Sequence, residues 1–239
     1  MRGSAGVPAM QKKTSRTPTF ISPQVPILFL RPSGSGWIHE IKHDGFRTLI
    51  RIVGKDVRAF TRNGYDWSDK YAHVINSCHK LACRSALIDG EIIVQDKNGV
   101  SDFAALRAAI DREPHRLVMF TFDLLFLEGA DLRREPLWHR REKLRQLIQH
   151  DRRSALHFND HYEGEWCRVV QAGLRPELGG HRLKAGTESY KSGPSKFWLK
   201  TKNVAESELT LPGTDYDNEG KPIAYLGRSE VHGIFAPHQ

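Results

Sequence analysis

The sequence contains few cysteines and no long run of apolar residues. Its three cysteines, Cys78, Cys83 and Cys167, are too few for the disulfide framework of a small secreted domain and favour a reduced, cytoplasmic protein. The longest apolar stretch, residues 117–127, is interrupted by an aspartate and is too short to span a bilayer. Residues 1–19 are basic and have no apolar core, so they lack the pattern of a secretory signal peptide. We therefore expect a soluble protein without a membrane-inserted segment.

Two common nucleotide-binding signatures are also missing. The Gly-Lys pairs at residues 54–55 and 220–221 are not followed by serine or threonine, which excludes a P-loop. No glycine-rich dinucleotide fingerprint follows a predicted strand. The cysteines and histidines between residues 73 and 83 do not have the spacing of a zinc knuckle, and a half-exposed helix explains them better.

The chain is strongly basic. Its 36 Lys and Arg residues against 28 Asp and Glu give a formal net charge of +8 and a pI near 9.5. Such a charge favours a polyanionic partner, such as nucleic acid or a nucleotide. With 39% hydrophobic residues the chain can bury a substantial core, which excludes disorder along its whole length.

The pattern of apolar residues predicts a mixed α+β fold dominated by antiparallel sheet. Short apolar segments bounded by turn residues predict strands at 37–42, 46–53, 57–61, 87–94 and 117–127. Helical periodicity predicts helices at 102–111, capped by Ser101 or Asp102, and at 137–150. Residues 166–184 show neither period. After Asn203, alternation at 207–211 and 223–226 predicts one hairpin.

The densest chemical signal is residues 40–47, which read Glu-Ile-Lys-His-Asp-Gly-Phe-Arg. Lys42 lies at the end of a predicted strand, where it could attack a phosphorus centre. A lysine with its ordinary pKa is only about 0.04% neutral at pH 7. A nucleophilic lysine therefore needs desolvation, neighbouring cations or a metal to lose its proton. Taken alone, Lys42 beside Asp44 is also typical of a surface ion pair.

Four further segments follow in a fixed order. They are residues 61–64 (Thr-Arg-Asn-Gly), 87–92 (Leu-Ile-Asp-Gly-Glu-Ile), 120–125 (Phe-Thr-Phe-Asp-Leu-Leu) and 198–203 (Trp-Leu-Lys-Thr-Lys-Asn). Together with residues 40–47 they resemble the nucleotidyltransferase motifs of ATP-dependent DNA ligases, in particular the bacterial ligases of the end-joining type. The resemblance extends over residues 26–203.

The resemblance implies a fold and a division into domains. The fold is the ATP-grasp-like nucleotidyltransferase, or adenylation, domain of DNA ligases, with antiparallel sheets and flanking helices. Residues 1–20 would form a basic disordered arm and residues 21–203 the adenylation domain. Residues 204–239 would be a truncated OB-fold, since a complete barrel needs more strands than these residues can form.

The resemblance also implies a three-step reaction. Lys42 would attack the α-phosphate of ATP to give a lysyl-AMP, the AMP would move to a 5′-phosphate at a DNA nick, and the 3′-hydroxyl would displace it. ATP and Mg²⁺ or Mn²⁺ are the implied cofactors, because cations must offset the negative charge that builds at phosphorus. Nicked double-stranded DNA is the implied partner, and end-joining proteins are candidate partners. The oligomeric state is left open.

Eight further residues match nucleotide-binding or metal-binding positions of the family: Glu40, Arg47, Arg62, Glu91, Phe122, Lys184, Lys200 and Lys202. The resemblance implies that Glu40 meets the adenine amino group and that Phe122 stacks on adenine. Glu91 would bind the metal or the ribose. Taken singly, Glu91 also suits a hairpin edge and Phe122 an ordinary core position.

The cationic members of this set would surround the sugar and the phosphates. The resemblance places Arg47 and Arg62 near the ribose and phosphates. It places Lys200 and Lys202 at the α-phosphate, and strand spacing puts both on one face. Lys184 keeps the family's position ahead of Tyr190. A solvated strand face is the alternative for the paired lysines.

One segment departs from the family pattern. The family has a strand reading Leu-Glu-Gly-Ile-Val-Ser-Lys, whereas residues 178–184 read Leu-Gly-Gly-His-Arg-Leu-Lys, so Gly179 replaces a metal-binding glutamate. His181 and Arg182 replace buried apolar residues, at a cost of several kcal/mol if they are unpaired. A one-base shift of the reading frame can restore the family residues. We therefore hypothesise that residues 166–184 are translated out of frame, which resequencing the gene would test.

Three alternatives remain open at this stage. The altered segment and the missing barrel also suit a catalytically dead remnant that only binds nucleic acid. Within the same superfamily, an RNA ligase or a capping-type guanylyltransferase uses the same lysine chemistry. A basic α+β protein of unrelated function would require all five motifs to be accidental.

Overall fold

The computed structural model describes residues 16–28, 36–148, 154–163, 181–201, 209–216 and 222–228. The chain divides into two units, Met1–Asn203 and Val204–Gln239. The strands of the first unit are β1 Gln24–Leu28, β2 Trp37–Ile41, β3 Phe46–Val53, β4 Asp56–Thr61, β5 Ser85–Ile93, β6 Val118–Leu127, β7 Ala130–Asp131, β8 Leu156–Phe158, β9 His161–Glu163, β10 His181–Ala185 and β11 Gly193–Thr201. Its helices are α1 Ala72–Cys78, α2 Phe103–Arg112 and α3 Leu137–Leu147, with a 3₁₀ turn at Pro114–Arg116.

Two sheets make up the first unit. One has six strands in the order β4-β3-β5-β6-β7, with β8 added in parallel on β6. The other has five strands in the order β1-β11-β10-β2-β9, in which β1 and β11 run parallel. The remaining pairings are antiparallel. The predicted α+β fold with mainly antiparallel sheets is therefore confirmed.

The six-stranded sheet is buried on both faces at its centre. Ile50 and Ile88 belong to a core cluster that also contains residues of all three helices, whereas the adjacent Leu49 and Leu87 belong to a second cluster with Trp198 of β11. Alternate residues of one strand point to opposite faces, so β3, β4, β5 and β6 contribute to both clusters. This explains why all but the first residue of β5 are buried.

The predicted elements agree well with those observed in this unit. The five predicted strands correspond to β2 to β6, and α2 is capped by Asp102, whose side chain accepts a 2.8 Å hydrogen bond from the Ala105 amide. Helix α3 ends at Leu147, three residues earlier than predicted. None of the described helices is long and apolar enough to cross a membrane.

The strand that the resemblance implies at the C-terminal end of the segment without period is present. Residues 181–185 form β10, which pairs with β2 on one side and β11 on the other. A strand with a partner on both sides is fixed by these ladders even where its own sequence does not alternate. Residues 164–180, including Cys167 and Gly179, lie outside the described residues, and the frame-shift hypothesis stays a prediction.

The second unit contains a hairpin. Strand β12, Leu209–Tyr216, pairs antiparallel with β13, Pro222–Arg228. The hairpin predicted after Asn203 is confirmed, and its strands are longer than predicted. Its assignment to a truncated OB-fold stays a prediction, as does the basic arm, because residues 1–15 lie outside the described residues.

Candidate functional site

Lys42 lies immediately after β2, in the short connection to β3. Its ammonium nitrogen is 3.7 Å from the nearest carboxylate oxygen of Asp44, and its side chain is 25% exposed. Gly45 completes this connection against β5: a Cβ atom at Gly45 would lie 2.1 Å from the Ile92 carbonyl oxygen. Only glycine allows so close an approach, and it fixes where the lysine emerges.

A cavity of about 580 Å³ opens beside Lys42. This volume is within the range of roughly 300–1,000 Å³ typical of small-molecule sites. The charged side chains that line it are five cations and one carboxylate: Lys42, Arg47, Arg62, Arg182, Lys200 and Glu91. A lining of this composition suits an anionic ligand such as a phosphate ester. Five of the residues assigned from the sequence are therefore brought together here.

The five cations of the lining differ in how far they are neutralised. Arg47 is bound in a bidentate pair by Asp89, with nitrogen–oxygen distances of 2.5 and 2.6 Å. Burial alone would lower the pKa of Arg47, but the Asp89 carboxylate raises it above the ordinary value. Arg62 and Lys200 form no ion pair within the described part of the chain. The available positive charge therefore lies at Lys42, Arg62 and Lys200.

Glu91 and Arg182 form a second buried pair at the cavity wall. The guanidinium Nη2 of Arg182 donates to Glu91 Oε2 over 2.9 Å, and the two side chains are only 10% and 8% exposed. The positive charge of Arg182, which β10 places in the core, is thus paired with the carboxylate of Glu91. Sequence reasoning flagged Arg182 as costly without finding its partner, which lies far away along the chain.

Glu40 and Lys184 lie outside the cavity lining, in a buried ionic cluster. Glu40 accepts from Arg141 of α3, and its two oxygens lie 3.0 and 2.7 Å from the Lys184 ammonium. Burial lowers the pKa of Lys184 to about 7, although Glu40 opposes the shift. A buried carboxylate between two cations satisfies their charges and is not presented to a ligand. The nucleotide contacts implied for these residues stay predictions.

Phe122 is also covered. The Arg47 guanidinium carbon lies 4.4 Å and the Lys184 ammonium 4.1 Å from its ring centroid, and Trp198 packs edge-on against it at 6.1 Å between centroids. The ring is 1% exposed and belongs to the core. Its implied stacking on adenine would need these neighbours to move, so that role also stays a prediction. Lys202 lies outside the described residues.

Several lining residues were missed by sequence reasoning. Residues 23–26, which include the start of β1, line the cavity, and so do Tyr65 and Trp67. The two aromatic residues lie within three residues after the Thr-Arg-Asn-Gly segment, and that proximity was the available signal. Residues 23–26 carried no such signal in the sequence, because they reach the cavity through the parallel pairing of β1 with β11.

The residues present fit a divalent cation only in a limited way. The described residues contain no group of three or more His, Cys, Asp or Glu side chains that could enclose a metal. Glu91 is the one carboxylate among the described lining residues, and Arg182 engages one of its oxygens. Mg²⁺ commonly takes one or two protein carboxylates and completes its shell with water and substrate phosphates. The described residues therefore suit a metal that arrives with a nucleotide and do not by themselves form a metal cage.

Several known proteins resemble this chain in sequence. The family model for the ATP-dependent DNA ligase domain matches residues 22–202. The chain is 30% identical over 246 residues to the multifunctional non-homologous end joining protein LigD of Pseudomonas aeruginosa, covering 99% of this chain and 29% of that protein. It is 28% identical over 244 residues to a DNA ligase of Pyrobaculum islandicum, covering 90% of this chain and 40% of that ligase. The chain thus spans well under half the length of these relatives.

Solved structures share the fold. The ligase domain of Mycobacterium tuberculosis LigD matches with a TM-score of 0.67 at 22% identity, covering 85% of this chain and 67% of that one. A mycobacterial DNA ligase D complexed with ATP and MES matches with a TM-score of 0.65 at 22% identity, covering 86% and 67%. The fold of this chain is therefore one already seen in ligase domains.

Proposed function

The chain belongs to the ATP-dependent DNA ligase family, and from that membership we propose that it catalyses nucleotidyl transfer from ATP through Lys42. The observation that carries the proposal is the position of Lys42 at a strand end, partly exposed, on a cavity lined by cations. A nucleophile that becomes covalently modified must reach its substrate, and Lys42 is placed to do so.

In the first step, the Lys42 nitrogen forms a bond to the α-phosphorus of ATP while the bond from that phosphorus to the pyrophosphate oxygen breaks. The lysine ammonium releases one proton to solvent before the attack and a second after the nitrogen–phosphorus bond forms, so that a phosphoramidate and pyrophosphate result. Negative charge grows on the phosphate oxygens during this exchange, and fixed cations stabilise it. Arg62 and Lys200 line the same cavity and carry no ion pair within the described residues, which suits them to this role.

Mg²⁺ or Mn²⁺ belongs to the proposal as a second cofactor. Such an ion supplies charge neutralisation on the phosphates. Glu91 would hold it through a carboxylate oxygen, with the remaining ligands from water and the nucleotide. Arg47, fixed by Asp89, would border the sugar.

The proposed second substrate is a nicked DNA duplex. After adenylation, the AMP would be transferred to the 5′-phosphate of the nick, and the 3′-hydroxyl would displace it to form the phosphodiester. The net charge of +8 favours association with the duplex. End-joining proteins are further proposed partners, because a relative carries that description.

The test is the formation of a covalent adduct. Purified protein is mixed with α-labelled ATP and a divalent cation, denatured and separated by electrophoresis. We expect a labelled band with the wild-type chain, none with Lys42→Ala, and an unchanged band with Lys55→Ala, which alters an exposed turn lysine. A label from GTP in place of ATP would instead indicate capping-type chemistry.

A second candidate function is binding to nucleic acid without catalysis. Gly179 at the position of a family glutamate and the engagement of Glu91 by Arg182 both favour it. This alternative predicts salt-dependent DNA binding and no adduct from a folded wild-type chain.

A further inference from the structure

The Glu91–Arg182 pair joins the two sheets at the wall of the cavity. Glu91 lies on β5 of the six-stranded sheet, and Arg182 lies on β10 of the five-stranded sheet. Both residues line the cavity, and the nitrogen–oxygen distance between them is 2.9 Å. The pair is therefore part of the cavity wall as well as a link between the sheets.

The surroundings of Arg182 hold its guanidinium in this position. Its carbon lies 5.4 Å from the ring centroid of Phe122, on an aromatic surface that favours a cation. Its Nε atom is buried and has no hydrogen-bond partner among the described residues. The guanidinium therefore binds Glu91 through one terminal nitrogen, Nη2.

The pairing of Glu91 with Arg182 affects how a metal ion can bind this carboxylate. A buried carboxylate needs a counter-charge, and here a permanently charged arginine supplies it. A divalent cation at Glu91 would meet the like charge of Arg182, which lies at hydrogen-bond distance from Oε2 of the same carboxylate. Two cations competing for one carboxylate cannot both bind it with full strength.

We propose that Arg182 is the resident counter-ion of Glu91 and that a divalent cation gains this carboxylate only by displacing the guanidinium. Arg182 then lowers the metal affinity of the cavity and sets the metal concentration that the site needs. The inference rests on the proposed function only for the use that the metal would serve, because competition for Glu91 requires neither ATP nor DNA.

The test measures Mn²⁺ binding to the full chain without nucleotide, by electron paramagnetic resonance of the free ion. We expect Arg182→Leu to bind Mn²⁺ at least tenfold more tightly than the wild type, because Glu91 loses its competitor. The double variant Arg182→Leu/Glu91→Gln should lose that gain. Arg116→Leu is the matched control, since it breaks an exposed Arg–Glu pair with Glu113 at 2.8 Å and should leave Mn²⁺ binding unchanged.

Arg182→Gln covers the case in which the leucine variant does not fold, because glutamine keeps hydrogen-bonding capacity without the charge. A gain in the same direction, together with a rise in melting temperature on adding Mn²⁺ that the wild type does not show, would support the proposal. Equal Mn²⁺ dissociation constants for wild type and variants, or no binding to any of them, would overturn it. Failure of the wild type to form a lysyl-AMP would count against the proposed function and leave this result unaffected.

Discussion

Neighbouring residues at the end of β2 and in its connection to β3 occupy opposite environments. Lys42 is 25% exposed and has one distant acidic neighbour, whereas Glu40 and His43 are buried and held by close partners. Lys42 faces a cavity and can change its bonding to a ligand. Glu40 and His43, the buried set, are enclosed by residues of α3, β10 and the segment near β8. The difference separates groups that are available for chemistry from groups that fix the backbone from which Lys42 emerges.

The largest expected effect comes from removing the central acid of the buried set. Glu40→Gln leaves Arg141 and Lys184 in the core without their carboxylate. Breaking one partner of a buried ion pair costs about 3–5 kcal/mol. We expect a loss of that size in the free energy of unfolding, measured by urea denaturation. A loss below about 1 kcal/mol would mean that the buried set is not what fixes this connection.

A somewhat smaller effect is expected from Gly45→Ala. The added Cβ would lie 2.1 Å from the Ile92 carbonyl oxygen and 2.7 Å from an Ile93 side-chain carbon, so that the backbone must shift. Overpacking of this kind costs about 1–3 kcal/mol, and we expect the upper end. Gly54→Ala is the control: it has no atom within 4 Å but a φ of +59°, so about 1 kcal/mol is expected. Equal losses by thermal unfolding would contradict this account.

Acid should act on the buried set through His43. Its Nε2 donates to the Asn159 side-chain oxygen and its Nδ1 accepts from the Ser101 hydroxyl, both over 3.2 Å. Burial lowers the pKa of His43 from 6.5 to about 4. The unfolded chain therefore binds more protons than the folded chain between these values, and stability falls as pH drops from about 6.5 to about 4.

The size of that loss is about 2–3 kcal/mol, from the shift in pKa. It is measured as the free energy of unfolding against pH. In His43→Gln, which cannot titrate, this component should be missing. The same pH dependence in wild type and variant would show that other groups cause it.

The smallest effect is expected on the exposed side. Asp44→Asn removes the carboxylate that lies 3.7 Å from Lys42, and the Asp44 side chain is 63% exposed. Exposed ion pairs contribute about 0.2–1 kcal/mol, and one this long belongs at the lower end. Urea denaturation should therefore hardly distinguish the variant from wild type. A loss comparable with that of Glu40→Gln would remove the contrast between the two environments.

Local patterns in the sequence were enough for much of the fold. Apolar runs and turn residues predict β2 to β6, and the cap of α2 is the predicted Asp102. Local patterns did not predict β1 or β10, because each is defined by its neighbours in the sheet, although the family resemblance implies a strand at β10. The pairing of β1 with β11 joins segments that are distant in the chain, and no periodicity within five residues reveals it.

The candidate site, like the fold, was only partly predictable from the sequence. Motif positions identify Lys42, Arg62 and Lys200, and the structure brings them to one cavity. They do not reveal that Glu40 is closed off by Arg141, or that Arg182 pairs with Glu91, because both are contacts between distant segments. Side-chain chemistry can be read from a motif, whereas access to that chemistry depends on tertiary pairing.

The links between the two sheets also bear on how the domain opens. Besides the Glu91–Arg182 pair, the Tyr190 hydroxyl donates to Asp89 and accepts from the Gln24 amide. Cross-links of this kind make it costly for one sheet to detach while the other stays ordered. The amides of β5 and β10 should then exchange their hydrogens with solvent in a single cooperative event, at a rate set by global unfolding. The part of the cavity wall that these strands form therefore persists as long as the domain stays folded.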